Sequence, residues 1–121
     1  MRIFGTLVLV CILVGCGQKP VSYQTQIQPI LNKHCISCHN ADRASGKIML
    51  TSYENLMNAR ASAWKKPIVV PGNPSESWMY LSAGTSQPHF RMPPDTSNVA
   101  ALPENEVILL GKWIQQGAKN N

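Results

Sequence analysis

The run Cys35-Ile36-Ser37-Cys38-His39 limits what this chain can become more than any other stretch, because two thiols and an imidazole fall within five positions. Zinc usually takes a CxxC pair together with a second, distant pair. His34 and His39 lie too close together to serve easily as that second pair, and His89 stands alone. A thioredoxin-like redox pair wants a βαβ pattern around the motif, and none flanks it. A local structural disulfide is a third reading.

The fourth reading, covalent attachment of a c-type haem, gives all three residues one job. Two thiols add to the two vinyl groups on one porphyrin edge, and the histidine that follows is carried beneath the iron as its proximal ligand. Random placement of this chain's four Cys and three His would produce a CxxCH roughly 0.002 times, so coincidence is a poor rival. Cys35 and Cys38 are therefore expected to hold one haem c by thioethers, with His39 as proximal iron ligand.

The other cysteines are explained by the first residues. Met1-Arg2 is a short positive start, and Ile3 to Val14 is an apolar run broken only by Gly5 and Thr6. Twelve residues at about 1.5 Å each reach roughly 18 Å, short of the ~30 Å hydrocarbon layer, so a signal peptide is expected rather than a spanning helix. Leu13-Val14-Gly15-Cys16 resembles the lipobox of bacterial lipoproteins. The expected organisation is a signal peptide over 1–15, a lipidated Cys16 with a tether over 16–22, and a haem domain over 23–119. Cys11 then leaves with the signal, and only Cys35 and Cys38 remain in the domain. The product is expected to be exported and anchored to a bacterial membrane, facing the periplasm.

The length of 121 residues suits a single domain once that N-terminus is set aside. Nine prolines and eight glycines suggest short elements joined by fixed turns. The formal charge of +5 is spread thinly, with Lys65-Lys66 the only adjacent basic pair, so no nucleic-acid partner is expected.

The coarse pattern is helical. Tyr23, Ile27, Ile30 and Leu31 form a stripe leading into the motif, with Pro29 demanding a kink or a late start. Thr51-Ser52-Tyr53-Glu54 has the form of a capping box ahead of Leu56 and Met57. Asn73-Pro74-Ser75-Glu76 reads as the opening of a helix through Trp78, Met79 and Leu81 that stops at Gly84. Leu102-Pro103-Glu104 begins a last helix, with Val107, Leu110 and Ile114 on one face, Trp113 flanking it and Gly117 at its end. Ile68-Val69-Val70 lies between prolines and reads as extended linker.

The order IQPIL, CISCH, SYENLM, VVPGNPSESWMYL, RMPP and LPENEVILLGKWIQQGA resembles the class I c-type cytochromes, and within them the small planctomycete-type cytochrome c domains. The likeness spans about residues 23–118. It implies an all-α, cytochrome c-like fold of about four short helices wrapped around one covalently attached haem. Ile27, Ile30 and Leu31 of the first helix would cross Val107, Leu110, Trp113 and Ile114 of the last. It implies Met92 as distal ligand. Asn40 stands where the family often has glycine, and asparagine tolerates positive φ.

The residues make their own case for Met92. Met57 and Met79 fall within expected helices as core fillers, and Met49 follows His39 too closely to pass round a porphyrin edge. Met92 lies on a loop stiffened by Pro93 and Pro94, so its side chain is held with little entropy left to lose. His89 on the same loop is its rival. His/Met ligation suits electron transfer between redox protein partners, themselves membrane-associated. The alternatives are a haem sensor or peroxidase-like enzyme with an exchangeable distal position, and a relay subunit of a larger oxidoreductase. Arg91, Arg60, Trp64, Trp78 and Tyr80 are candidate donors to the haem propionates.

Overall fold

The computed structural model describes residues 17–121. The expected signal peptide and the lipidation at Cys16 lie outside those residues. Among the described residues there are four α-helices, α1 (Gln28–His34), α2 (Tyr53–Asn58), α3 (Trp78–Gly84) and α4 (Glu104–Gln115), and no strand. The all-α expectation holds. The nearest approach to a sheet among these residues is one isolated antiparallel bridge, Arg60 to Pro67. None of the described helices is long and apolar enough to cross a membrane.

Pro29 settles where the first helix starts. A π turn over Tyr23–Ile27 comes first, capped by Ser22 Oγ accepting from the Thr25 N–H at 3.2 Å, and the α-helix begins only at Gln28. Pro29 thus occupies the first turn of α1, where its fixed φ is tolerated. In α2 the cap is Ser52, whose Oγ accepts from the Asn55 N–H at 3.1 Å. Thr51 Oγ1 instead accepts from the Asn55 side-chain amide at 3.0 Å, so the expected Thr51/Glu54 capping box does not form.

The Asn73 signal opens only a 3-10 turn, Pro74–Glu76, and α3 restarts after Ser77. Fully buried Ser77 explains the break: its Oγ accepts from the Val70 N–H at 2.9 Å and donates to the Asn73 carbonyl at 2.8 Å. The last helix places Glu104 and Glu106 in its first turn, where the helix dipole favours negative charge. It ends in a Schellman pair, with Gly117 N–H donating to Ile114 O at 3.0 Å and Ala118 N–H to Trp113 O at 2.9 Å. Gly117 takes φ 102°, the left-handed conformation this motif requires.

Ile27, Leu31, Leu56, Leu110, Trp113 and Ile114 form the centre of the core. The first and last helical segments pack together, with the Tyr23 and Trp113 rings 5.6 Å apart at one end. At the other, Glu106 receives Lys33 at 3.2 Å and His34 at 2.7 Å, so the two run in opposite senses. Val107 also lies against α3: its Cγ1 comes within 3.2 Å of where a Cβ on Gly84 would stand. Ile68 and Val69, read as linker, are buried core residues.

The N-terminal segment is clasped to the C-terminal one. Val21 N–H donates to Gln116 Oε1 at 2.7 Å, Gln116 Nε2 donates to Lys19 O at 3.2 Å, and Ser22 Oγ donates to Asn121 O at 2.9 Å.

Candidate haem site

The motif is a tight helical turn added to the end of α1. Cys35 N–H donates to Leu31 O at 2.9 Å, Cys38 N–H to Cys35 O at 3.2 Å and His39 N–H to Cys35 O at 3.0 Å. Asn40 stops the turn with its side chain rather than with a left-handed backbone. Its Nδ2 donates to Ile36 O at 2.8 Å while its Oδ1 accepts from the Asp42 and Arg43 N–H groups at 3.0 Å each. The left-handed residues of this loop are Ala44, Gly46 and Lys47, at φ 36°, 64° and 61°. Both thiols are free and half-buried. Burial, with Cys38 alongside, pushes the Cys35 thiol up to about 12, so it is held neutral.

His39 is held from behind. Its Nδ1 lies 3.3 Å from the Ile48 carbonyl, an acceptor that selects the tautomer with the proton on Nδ1 and leaves a lone pair on Nε2. Ligating histidines are oriented by such a contact. Leu50 N–H donates to the His39 carbonyl at 2.9 Å, fixing the backbone as well.

Two neighbouring clefts, open at their mouths, share His39, Ile48, Trp78 and Met92. The inner one, about 90 Å³, is walled by Cys35 and apolar side chains including Ile30, Leu31, Leu50 and Leu110. The outer one, about 360 Å³, adds Cys38, Arg43, Ser45, Ser62 and Ser97 and is the one of the two that reaches the size of an organic-ligand pocket. Two free thiols, an imidazole and a thioether thus border one slot that is greasy within and polar at its mouth. That donor set and that polarity fit a covalently held haem, whose ring is apolar and whose propionates are charged. Among the described residues no cluster of three or more His, Cys, Asp or Glu side chains is placed to hold a bare metal ion.

Met92 stands 44% exposed where the two clefts meet, and its backbone N–H donates to Ser82 O of α3 at 3.0 Å. His89 lines neither cleft, and Met49 and Met57 line neither. Met79 is buried against the inner cleft, part of its apolar wall.

Of the candidate propionate donors, Trp64 and Trp78 border the outer cleft. Arg91 is paired with Asp95, and Arg60 is turned to the carbonyls of Met57 and Ala59. Tyr80 packs over Gly111. Arg43 takes their place at the cleft mouth, a residue with no sequence signal beyond its nearness to the motif. The carbonyls of Ile48 and Ser82, which hold His39 and Met92, belong to the backbone and leave no side-chain trace in the sequence.

No curated protein and no solved structure matches the chain significantly. A family model described as planctomycete cytochrome C matches residues 35–96, a span that opens on the first motif cysteine and runs past Met92. With half of its length matched, including the motif, the second axial candidate and the α3 segment between them, the chain belongs to the planctomycete cytochrome c family.

Proposed function

We propose that this c-type cytochrome is a single-haem electron carrier, tethered to a bacterial membrane through Cys16, with His39 and Met92 as the two axial ligands of its iron. The observation that carries the reading is that His39 and Met92 border the same two clefts onto which the Cys35 and Cys38 thiols open. A haem c bound there supplies a one-electron ferric/ferrous couple.

The chain's own residues set the conditions for that couple. Cys35 and Cys38 fix the porphyrin edge by thioethers, and the Ile48 carbonyl keeps His39 in the ligating orientation. Met92, anchored through its backbone to α3, would supply the second ligand to the iron, and a His/Met pair suits electron transfer. Leu31, Leu50 and Leu110 exclude water from the inner cleft and so disfavour the extra charge of the oxidised state, raising the potential. Arg43 and Trp64 at the mouth are placed to meet the propionates. Donor and acceptor are redox proteins at or visiting the periplasmic membrane surface.

The test uses protein matured in a host competent for c-type haem attachment. Haem should stay with the denatured polypeptide through acid extraction, and the reduced visible spectrum should not change on adding carbon monoxide. Haem passing into the solvent phase would sink covalent attachment. A carbon monoxide complex in the native protein would replace the carrier reading with the sensor or peroxidase-like one.

A further inference from the structure

The segment from Pro94 to Pro103 forms no helix or strand, yet it supplies wall to both clefts. Pro94, Thr96 and Ser97 line the outer cleft, and Leu102 lines the inner one together with Cys35 and Leu110. Only Pro93 separates this strap from Met92.

The strap's hydrogen bonds are nearly all local. Ser97 N–H donates to Pro94 O at 2.9 Å and Val99 N–H to Ser97 Oγ at 3.3 Å, while Asp95 pairs with Arg91 four residues back on the same loop. At its far end the Pro103 carbonyl accepts from the first turn of α4. Between these ends, among the described residues, one hydrogen bond crosses to another element: His34 Nδ1, at the end of α1, lies 3.0 Å from the Ala100 carbonyl oxygen. A carbonyl only accepts, so Nδ1 carries the proton of this bond.

His34 is held so that it cannot turn away. Its side chain is 2% exposed, and Nε2 lies 2.7 Å from Glu106 Oε2 of α4, whose other oxygen faces exposed Lys33 at 3.2 Å. Turning the ring off Ala100 would also break the contact with α4. The strap itself has little else to keep it in place: most of its residues are exposed, and segments with few buried contacts open first.

We infer that His34 is a positioning residue that latches this strap, holding the wall formed by residues 94–103 against the slot through Ala100. Fixed to Ser82 O through the Met92 N–H and to α4 at Pro103, the residues between bow outward once that bond is released, while α1, α3 and α4 stay packed. What the slot holds is taken from the haem reading above; the wall and its latch stand on the geometry alone.

The test is limited thermolysin digestion of the native ferric holoprotein, with mass spectrometry to place the first cut. Thermolysin cuts ahead of bulky apolar residues, so a released strap should be nicked before Val99 or Leu102. His34→Phe keeps a ring and removes the donor. It should be nicked there about tenfold faster than the parent, and its iron should bind added imidazole about tenfold more tightly. His34→Asn loses Glu106 but keeps an N–H donor near the place of Nδ1, and should stay close to the parent. Ile114→Val, a core change at the opposite end of α4, should leave the strap closed. The latch is overturned if His34→Phe is nicked no faster than the parent, or if either control opens as readily as His34→Phe. Faster nicking without tighter imidazole binding overturns it too. Should His34→Phe not fold, the parent decides: its first cut should fall within 94–103, and a first cut elsewhere sinks the proposal. The visible spectrum reports haem separately from the position of the cut, so failure of the haem reading is not mistaken for failure of the latch.

Discussion

The N–H of Met92 and the carbonyl of Ser82 meet at 3.0 Å, tying the proline-rich loop to the helix that walls the cleft. Met92→Ala is expected to lower the reduction potential, abolish the sulfur-to-iron charge-transfer band and open the iron to carbon monoxide. His89→Ala should change none of these, since His89 is exposed and borders neither cleft. Visible spectra and redox titration of both variants check the pair; a changed ligation in the His89 variant alone would reverse the assignment.

Buried His34 bridges the Ala100 carbonyl at 3.0 Å and the Glu106 carboxylate at 2.7 Å, joining the end of α1 to the start of α4. Glu106→Ala should cost about 3 kcal/mol, because it leaves a buried polar ring without one of its partners. The surface pair Lys33 to Glu106 adds little to this, as exposed ion pairs contribute about 0 to 1 kcal/mol. Denaturant unfolding of Glu106→Ala and Lys33→Ala should therefore give very different losses.

Gly111 is buried in α4 beneath the Tyr80 ring. A Cβ there would stand 2.7 Å from Tyr80 Cε2. Gly111→Ala should destabilise by about 1–3 kcal/mol despite alanine's better helix propensity, because the close approach of α3 to α4 has no room to give. A thermal melt that shows Gly111→Ala as stable as the parent would rule this contact out as a constraint. Tyr80→Leu in the same background should restore part of the loss.

Cys16→Ser should move a spectrally unaltered cytochrome to the soluble exported fraction, or leave its precursor unprocessed. Fractionation with mass spectrometry of the N-terminus distinguishes these. A parent protein found soluble with an unmodified Cys16 would remove the tether and leave the haem domain as described.

What the sequence disclosed was what is local. The motif compresses its chemistry into five positions, and Pro29, Ser52 and Gly117 act on their own helix ends, so each was readable, if sometimes a residue off. Ile68 and Val69 were misread because flanking prolines advertise a linker, while their burial depends on elements far along the chain. Ser77 breaks the helix that Asn73 announces by serving Val70 and Asn73, a contact no capping rule encodes. Arg43 at the cleft mouth, and the Ile48 and Ser82 carbonyls behind the axial candidates, became visible only once the chain was folded.

The clasp of Lys19 and Val21 by Gln116 changes what an anchor at Cys16 would mean. Counted by residues, the tether offered six free links from Gly17 to Ser22. With Lys19 already held, only Gly17 and Gln18 lie between the lipidated residue and the folded body, a reach of roughly 10 Å at about 3.3 to 3.6 Å for each residue step. A protein anchored there would not swing on a leash. Anchored so, it would stand on the bilayer by the end where Lys19 meets Gln116, and its partners would have to approach a carrier whose footing is already chosen.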